Sequence, residues 1–267
     1  MNFFHNTAFA SFALLALAAG ATAQSLSQGG KGGIEIEADD GIEWVRNPDG
    51  GSGQYHARGN AHASQNDVDL YADELTAYYR TQNESQEVFR MDAIGQVRVH
   101  QAETQAFGDK GVYHMDKQVV VLVGESLRLI NPQATITAED SLEYWQARSI
   151  AVARGKATVA QEDRRLRAGV LTAFIQNNTK TGKDEIQRID ATGGVHISSP
   201  DEIVTGREGV YEVAKQIATV CGDVKITRGE NQLNGECAEV NMATGRSRIV
   251  GGAGRVTGLL LNSKKNN

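Results

Sequence analysis

The chain has 267 residues, a hydrophobic content of 40 % and a formal net charge of −6. This hydrophobic content excludes a disordered chain, and the acidic balance argues against nucleic acid as a partner. The sequence contains 29 glycines but only 3 prolines, which suits a β-rich fold because proline is confined to turns and sheet edges.

The first 23 residues differ from the rest of the chain. Residues 9–23 are apolar or small and end in Ala21-Thr22-Ala23, the pattern of a secretory signal peptide and its cleavage site. The apolar run is shorter than the roughly 20 residues that span a bilayer, but no Lys or Arg precedes it, so a retained anchor stays open as the alternative. We predict this division of the chain: signal peptide 1–23, flexible segment 24–33, single domain 34–256 and C-terminal tail 257–267.

From Ala38 onward one motif recurs seven times. A small residue, in most copies followed by acidic or amide residues, precedes a bulky residue by about six positions; the bulky residues are Trp44, Tyr78, Tyr113, Tyr144, Phe174, Tyr211 and Val240. Glycines that each open an alternating run accompany these copies: Gly59, Gly95, Gly124, Gly155, Gly194, Gly222 and Gly252. A period of about 30 to 40 residues predicts stacked copies of one supersecondary unit.

The runs after these glycines alternate with period two, which predicts half-buried β-strands. Val97 and Val99, for example, alternate with Arg98 and His100. Turn residues such as Asn131-Pro132 separate the runs. Beyond the N-terminal segment, no part of the sequence keeps an amphipathic helical stripe for three turns. The sequence therefore predicts an all-β chain built from repeated hairpin units.

The two cysteines flank a predicted hairpin. Cys221 and Cys237 are equidistant from Gly229 at the expected turn, and opposed positions of an antiparallel pair have Cβ atoms about 4.5–5.5 Å apart. In an exported protein this arrangement predicts a disulfide. Two unpaired core residues are the alternative.

No group of residues predicts catalysis, a metal site or a cofactor. His56 and His62 lie on one side of a strand, but no third ligand has a recognisable spacing. The recurrent acids could form a carboxylate ladder for glycoside cleavage: Asp39, Asp73, Asp109 and Glu139-Asp140. Their corresponding positions in successive repeats instead favour outward-facing strand starts. We therefore expect a protein that is not an enzyme.

Several segments occur in the order typical of one known family. They are Ile34 to Asp39, Gly59 to Ala63, Tyr71 to Leu75, Gly108 to Gly124 and Ile136 to Tyr144. The segment 108–124 is the most specific, with a small residue, a tyrosine, a turn, a β-branched run and a glycine. On these residues the chain resembles the LptA/OstA-like periplasmic lipopolysaccharide-transport family. Further units continue the pattern to about Gly252.

The resemblance implies an open antiparallel β-jellyroll, a folded-over, V-shaped sheet with an apolar interior. It also implies a periplasmic bridge protein that carries lipopolysaccharide from the inner to the outer membrane. The implied partners are lipid A acyl chains, transport components of both membranes joined by edge-strand pairing, and further copies in a head-to-tail homo-oligomer. Two alternatives stay open: a structural or adhesive envelope repeat protein without lipid cargo, and a β-helical carbohydrate-active enzyme.

Alternation along the strands predicts which side chains would line a lipid groove. The predicted inward-facing residues are Ile34, Ile36, Leu70, Val97, Val99, Val121, Leu127, Leu129 and Leu142, with Tyr113 and Tyr144 on the same side. Core packing without ligand contact is the alternative for each of them. Ile34 and Ile36 match the opening strand of the family, where an edge would both receive lipid and dock a partner.

Overall fold

A computed structural model describes residues 33–48, 50–82, 85–178, 183–244, 246–252 and 255–260. The predicted signal peptide and most of the predicted flexible segment lie outside the described residues. Within these ranges the chain forms 20 β-strands and one 3-10 turn, Gln146–Arg148. The same ranges contain no helix with the length and apolar character needed to cross a membrane.

All paired strands are antiparallel and belong to one sheet. The first ten strands are β1 Glu35–Glu37, β2 Ile42–Arg46, β3 Ser52–Gln65, β4 Val68–Gln82, β5 Ser85–Gln101, β6 Thr104–His114, β7 Val119–Val123, β8 Arg128–Ile130, β9 Thr135–Thr137 and β10 Ser141–Trp145. The second ten are β11 Ile150–Gln161, β12 Arg164–Asn178, β13 Lys183–Thr192, β14 Val195–Ser198, β15 Ile203–Gly206, β16 Glu208–Glu212, β17 Ile217–Arg228, β18 Asn231–Asn241, β19 Arg246–Val250 and β20 Thr257–Leu259.

The sheet folds over along a line of corners. Eight long strands cross this line, and the pairing shifts register where they bend. Each of the remaining strands lies on one side of the line, and they come in successive pairs, one on each side. The corner line thus separates a first half-sheet, containing β1, β8, β9, β14, β15 and β20, from a second half-sheet, containing β2, β7, β10, β13, β16 and β19.

Glycine allows the bend at the corners. Gly59 and Gly95 have φ angles of +76° and +78°, a left-handed conformation that costs glycine little. Gly59 lies against Asp40, between β1 and β2, and Gly95 lies against Asp73 of β4. The prediction that such glycines open strands is wrong here: each lies inside one bent strand, because a bulge lets pairing resume beyond it.

The half-sheets face each other across an apolar interior. Ala63 and Leu70 of the first half-sheet line one cavity together with Met91 and Leu122 of the second. The predicted fold class, an open antiparallel β-jellyroll with a folded-over, V-shaped sheet, is confirmed. β20 pairs with β18, so the sheet continues into the segment that we predicted as tail.

A disulfide joins β17 and β18 beside a corner. Cys221 and Cys237 are directly opposed, with a Cα–Cα distance of 4.1 Å and a sequence separation of 16.

Because the cross-link restricts the unfolded chain, the double variant Cys221→Ala/Cys237→Ala should lose about 3 kcal/mol of unfolding free energy. Urea denaturation measures this loss. Wild-type protein treated with reductant lacks the same cross-link and should show a similar loss. An unchanged urea midpoint would contradict the prediction.

Candidate functional site: an apolar trough between the half-sheets

Interior side chains of the first half-sheet form a continuous row, because each strand pairs in register with the next. We call it the first inner row. It has 14 positions, and every residue in it is apolar: Ile36, Ala63, Leu70, Val99, Ala106, Leu129, Ile136, Val159, Leu166, Ile197, Val204, Ile226, Leu233 and Gly258.

The second half-sheet has a matching row nearest the corners. This second inner row is also apolar at each of its 14 positions: Ile42, Ala57, Leu75, Ala93, Gly111, Leu122, Leu142, Ala153, Leu171, Ala191, Gly209, Val220, Ala238 and Ile249. The space between the two inner rows and the residues beside them is called the trough below.

Two residues farther from the corners, the second half-sheet carries a row that includes five aromatic rings; we call it the ring row. Its members are Trp44, Tyr55, Ala77, Met91, Tyr113, Val120, Tyr144, Ala151, Ala173, Ile189, Tyr211, Ala218, Val240 and Ser247. This ring row contains no charged side chain. The trough is therefore free of charge in these three rows.

Five of the seven recurrent bulky residues lie in the ring row, but Tyr78 and Phe174 do not. Alternation places them on the outer face, because the preceding residues Ala77 and Ala173 face the interior in the ring row. There the Arg90 guanidinium lies 5.6 Å from the Tyr78 ring centre, and that of Arg188 lies 5.5 Å from the Phe174 ring centre. Tyr78 lies five positions after Asp73 at its corner, whereas Tyr113 lies four positions after Asp109, and this difference of one residue reverses the face.

The trough is filled near the corners and looser toward its margins. Val97 and Leu127, beside the corners, are 1 % and 2 % exposed. Ile34, Leu70 and Val99 lie farther out, are partly exposed, and border a cavity of about 80 Å³. A water molecule occupies about 30 Å³ in the liquid, so this cavity holds a few methylene groups at most. An acyl chain would therefore enter only if the margins part.

The predicted lining residues occupy different depths of the trough. Those that border the cavity are Ile34, Leu70, Val99 and Tyr113. Ile36 and Tyr144 are partly buried against the core. The remaining inward-facing ones are fully packed: Val97, Leu127, Leu129 and Leu142.

The predicted inward orientation of Val121 is wrong. Val121 pairs with Val112 and Glu143 on the outer face, whereas its neighbours Val120 and Leu122 face the trough. The run Val119–Val123 is apolar on both faces, so alternation could not show which of its residues face the interior. Sequence reasoning consequently missed Val120 and Leu122, and also Met91, which lies in the ring row.

The rings in the trough carry neutral hydroxyl groups. Burial raises the pKa of Tyr113 to about 12 and also raises the pKa of Tyr144. The Tyr113 hydroxyl donates a hydrogen bond to Gln146 Oε1 at 3.4 Å. The lining therefore stays uncharged at physiological pH, as an apolar ligand requires.

Both margins of the trough combine apolar and polar side chains at their turns. At the turns of the first half-sheet lie polar residues, Thr104 and Asn131 among them, and both are buried. At the turns of the second half-sheet, Met115, Val213 and Met242 pack against the core. Asp116 and Lys117 follow Met115 at one of these turns and are exposed, so charged groups flank the apolar side chains there.

The described residues contain no group of three or more His, Cys, Asp or Glu side chains that could hold a metal ion. His62 instead contacts Asp69 at 2.9 Å and stacks on Tyr71. The repeated acids lie at the corners, where Asp39 accepts a hydrogen bond from Asn60 at 2.7 Å. The residues considered for a metal or glycosidase site thus have local contacts at separate places.

Comparison with known proteins shows similarity to a protein family, to a bacterial protein and to a solved structure. The profile of the family described as "LptA/(LptD N-terminal domain) LPS transport protein" matches residues 47–140 and again 135–246. An uncharacterized protein of Rhizobium meliloti (strain 1021) is 29 % identical over 136 residues, which cover 49 % of this chain and 73 % of that protein.

Among solved structures, the chain is similar to LptH from Pseudomonas aeruginosa, described as the LptA homologous periplasmic component of the conserved lipopolysaccharide transport device. The sequence identity is 18 % and the TM-score is 0.42. The alignment covers 48 % of this chain and 94 % of LptH.

Proposed function

The chain belongs to the family of LptA/(LptD N-terminal domain) lipopolysaccharide transport proteins, and we propose that it acts as a periplasmic bridge within this pathway. Proteins of this family are transport proteins and not enzymes. In the proposed role the chain is exported by a cleaved signal peptide. It then holds the lipid A acyl chains of lipopolysaccharide in the trough and passes the cargo from the inner toward the outer membrane.

The uncharged inner rows are the observation that carries this proposal. A purely structural repeat protein needs packed strands, but it does not need apolar side chains at the margin that remain partly exposed. Ile34, Leu70 and Val99 have this property and border the cavity. Covering such side chains with acyl chain stabilises the complex by about 25 cal/mol per Å² of apolar surface buried.

The two ends of the sheet support the bridging part of the proposal. At one end the trough residues Ile42 and Trp44 are 47 % and 52 % exposed. At the other end Val250 and Leu259, on the outer face of the edge strands, are 43 % and 56 % exposed. Terminal strands also carry backbone groups that can pair with another chain. We therefore propose that transport components of both membranes, or further copies head to tail, add to these edges and continue the trough.

Photo-crosslinking in cells tests the cargo. A photoreactive residue at Leu70 should form adducts with lipopolysaccharide, because Leu70 borders the cavity. The same group at Asp69 is the control, since Asp69 lies on the outer face of the same strand, where it pairs with Ser64 and His100. Equal adducts at both positions, or none at either, would favour an envelope repeat protein without lipid cargo.

A further inference from the structure

A second groove lies on the outer face of the first half-sheet, on the opposite side of the sheet from the trough. Its volume is about 690 Å³. Four successive cross-strand partners lie along it, Arg128, Thr137, Thr158 and Arg167, one each from β8, β9, β11 and β12. Neighbouring strands are about 4.8 Å apart, so the two arginines begin about 14 Å from each other with two threonines between them.

The charges of this groove are unevenly matched. Arg128 and Arg167 have no carboxylate partner within ion-pair distance among the described residues. The guanidinium of Arg128 lies 3.9 Å from the centre of the Phe107 ring. Lys156 at the rim is paired with Glu139 at 3.0 Å. Glu125 is the other acid that lines the groove, which leaves the two arginines as its dominant unpaired charges.

The groove also offers neutral hydrogen-bonding groups. Thr137 and Thr158 present hydroxyls between the arginines, and the Thr158 hydroxyl donates to the Lys156 carbonyl at 3.2 Å, so its lone pairs remain available. The wall beside Arg167 is formed by Gly193 and Gly194, which have no side chains to obstruct a ligand. Hydroxyls and bare backbone suit a polyhydroxylated ligand better than an acyl chain.

We propose that this groove binds an anionic saccharide, with Arg167 on its phosphate or carboxylate group and the threonines on its hydroxyls. Arg128, turned toward Phe107, adds positive charge at the far end of the groove. Guanidinium groups form forked, charge-assisted hydrogen bonds to either anion. The volume lies within the 300–1,000 Å³ typical of small-ligand sites and exceeds what a single phosphate fills. This site is separate from the trough, so it stands or falls independently of the proposed lipid transport.

Titration of the folded protein tests the site with three probes: glucose 1-phosphate, glucuronate and glucose. Binding is followed by NMR shift perturbation at about 0.15 M ionic strength, where the screening length is about 8 Å. We expect saturable binding of at least one anionic sugar and none of glucose. Binding of the phosphate sugar alone, of the uronate alone, or of both identifies the natural anion as phosphate, carboxylate or either.

Two arginines of β12 provide a matched pair of variants. Arg167→Ala should weaken binding of the anionic sugar about tenfold or more, because it removes a charge-assisted hydrogen bond. Arg165→Ala should change it less than about twofold. Both side chains are exposed on the same face, and both variants lose one positive charge, but Arg165 does not line the groove. Equal weakening in the two variants, glucose binding as tight as that of the anionic sugars, or no saturable binding would overturn the proposal.

Discussion

The variant Val99→Glu should lose lipopolysaccharide capture while the sheet remains folded. Val99 belongs to the first inner row, is partly exposed and borders the cavity. A carboxylate at this point would have to be buried beside acyl chains without a partner, which costs several kcal/mol. Since 1.4 kcal/mol corresponds to a tenfold change, we expect bound lipid to fall at least about 100-fold. Lipid extracted from the purified variant and quantified by mass spectrometry measures the effect.

The neighbour His100 supplies the control for this variant. His100 pairs with Asp69 and Gln105 on the outer face, so His100→Glu adds the same carboxylate to the same strand without reaching the trough. It should retain lipid at the wild-type level. Circular dichroism and the melting temperature would show whether both variants keep the sheet. Normal lipid content in folded Val99→Glu protein would contradict the assignment of the trough as the lipid site.

The variant Ile42→Asp should abolish end-to-end association of the protein. Ile42 begins the second inner row at one end of the sheet and is 47 % exposed. Joining two copies head to tail would bring it beside Ile249, which ends the same row at the other end. A carboxylate in that contact would be desolvated without a partner. We expect association at least about 100-fold weaker, measured by sedimentation over a range of protein concentrations.

Val45 allows a matched control on the same edge strand. Its side chain is 37 % exposed and lies on the outer face of β2, where Val45 pairs with Gln54. Val45→Asp therefore introduces the same charge without placing it in the continued trough, and association should change little. A wild-type protein that stays monomeric at high concentration would argue against self-assembly and would leave other transport components as the partners of this edge.

The strand content and the inward face of most strands could be predicted from alternation. Val97 and Val99 flank Arg98 and are therefore expected on the same face of the strand, and the structure places both side chains in the interior. Alternation did not predict the orientation of the run Val119–Val123, because every residue in it is apolar and either set of alternate residues could face the interior. The recurrent motif, defined by a spacing of about six positions, also does not separate Tyr78 and Phe174, which face outward, from the rings that face the trough.

The fold-over of the sheet was less accessible from the sequence. Gly59 is followed by an alternating run, and a strand that starts there looks the same locally as a strand that bends there. The difference depends on whether residues on both sides of Gly59 pair with the same neighbour, β4, which is a non-local property. The outer groove could not be predicted for a related reason. Arg128 and Arg167 are 39 positions apart in the sequence, and only the pairing of β8, β9, β11 and β12 places them along one groove.

The first inner row has 14 positions, and at about 4.8 Å per strand it extends for roughly 60 Å. An extended hydrocarbon tail is much shorter than this distance. One protein molecule would therefore have room for several cargo molecules in single file, and its occupancy at saturation would exceed one. Movement along the file would then require only that each molecule advance into the place vacated by the one ahead.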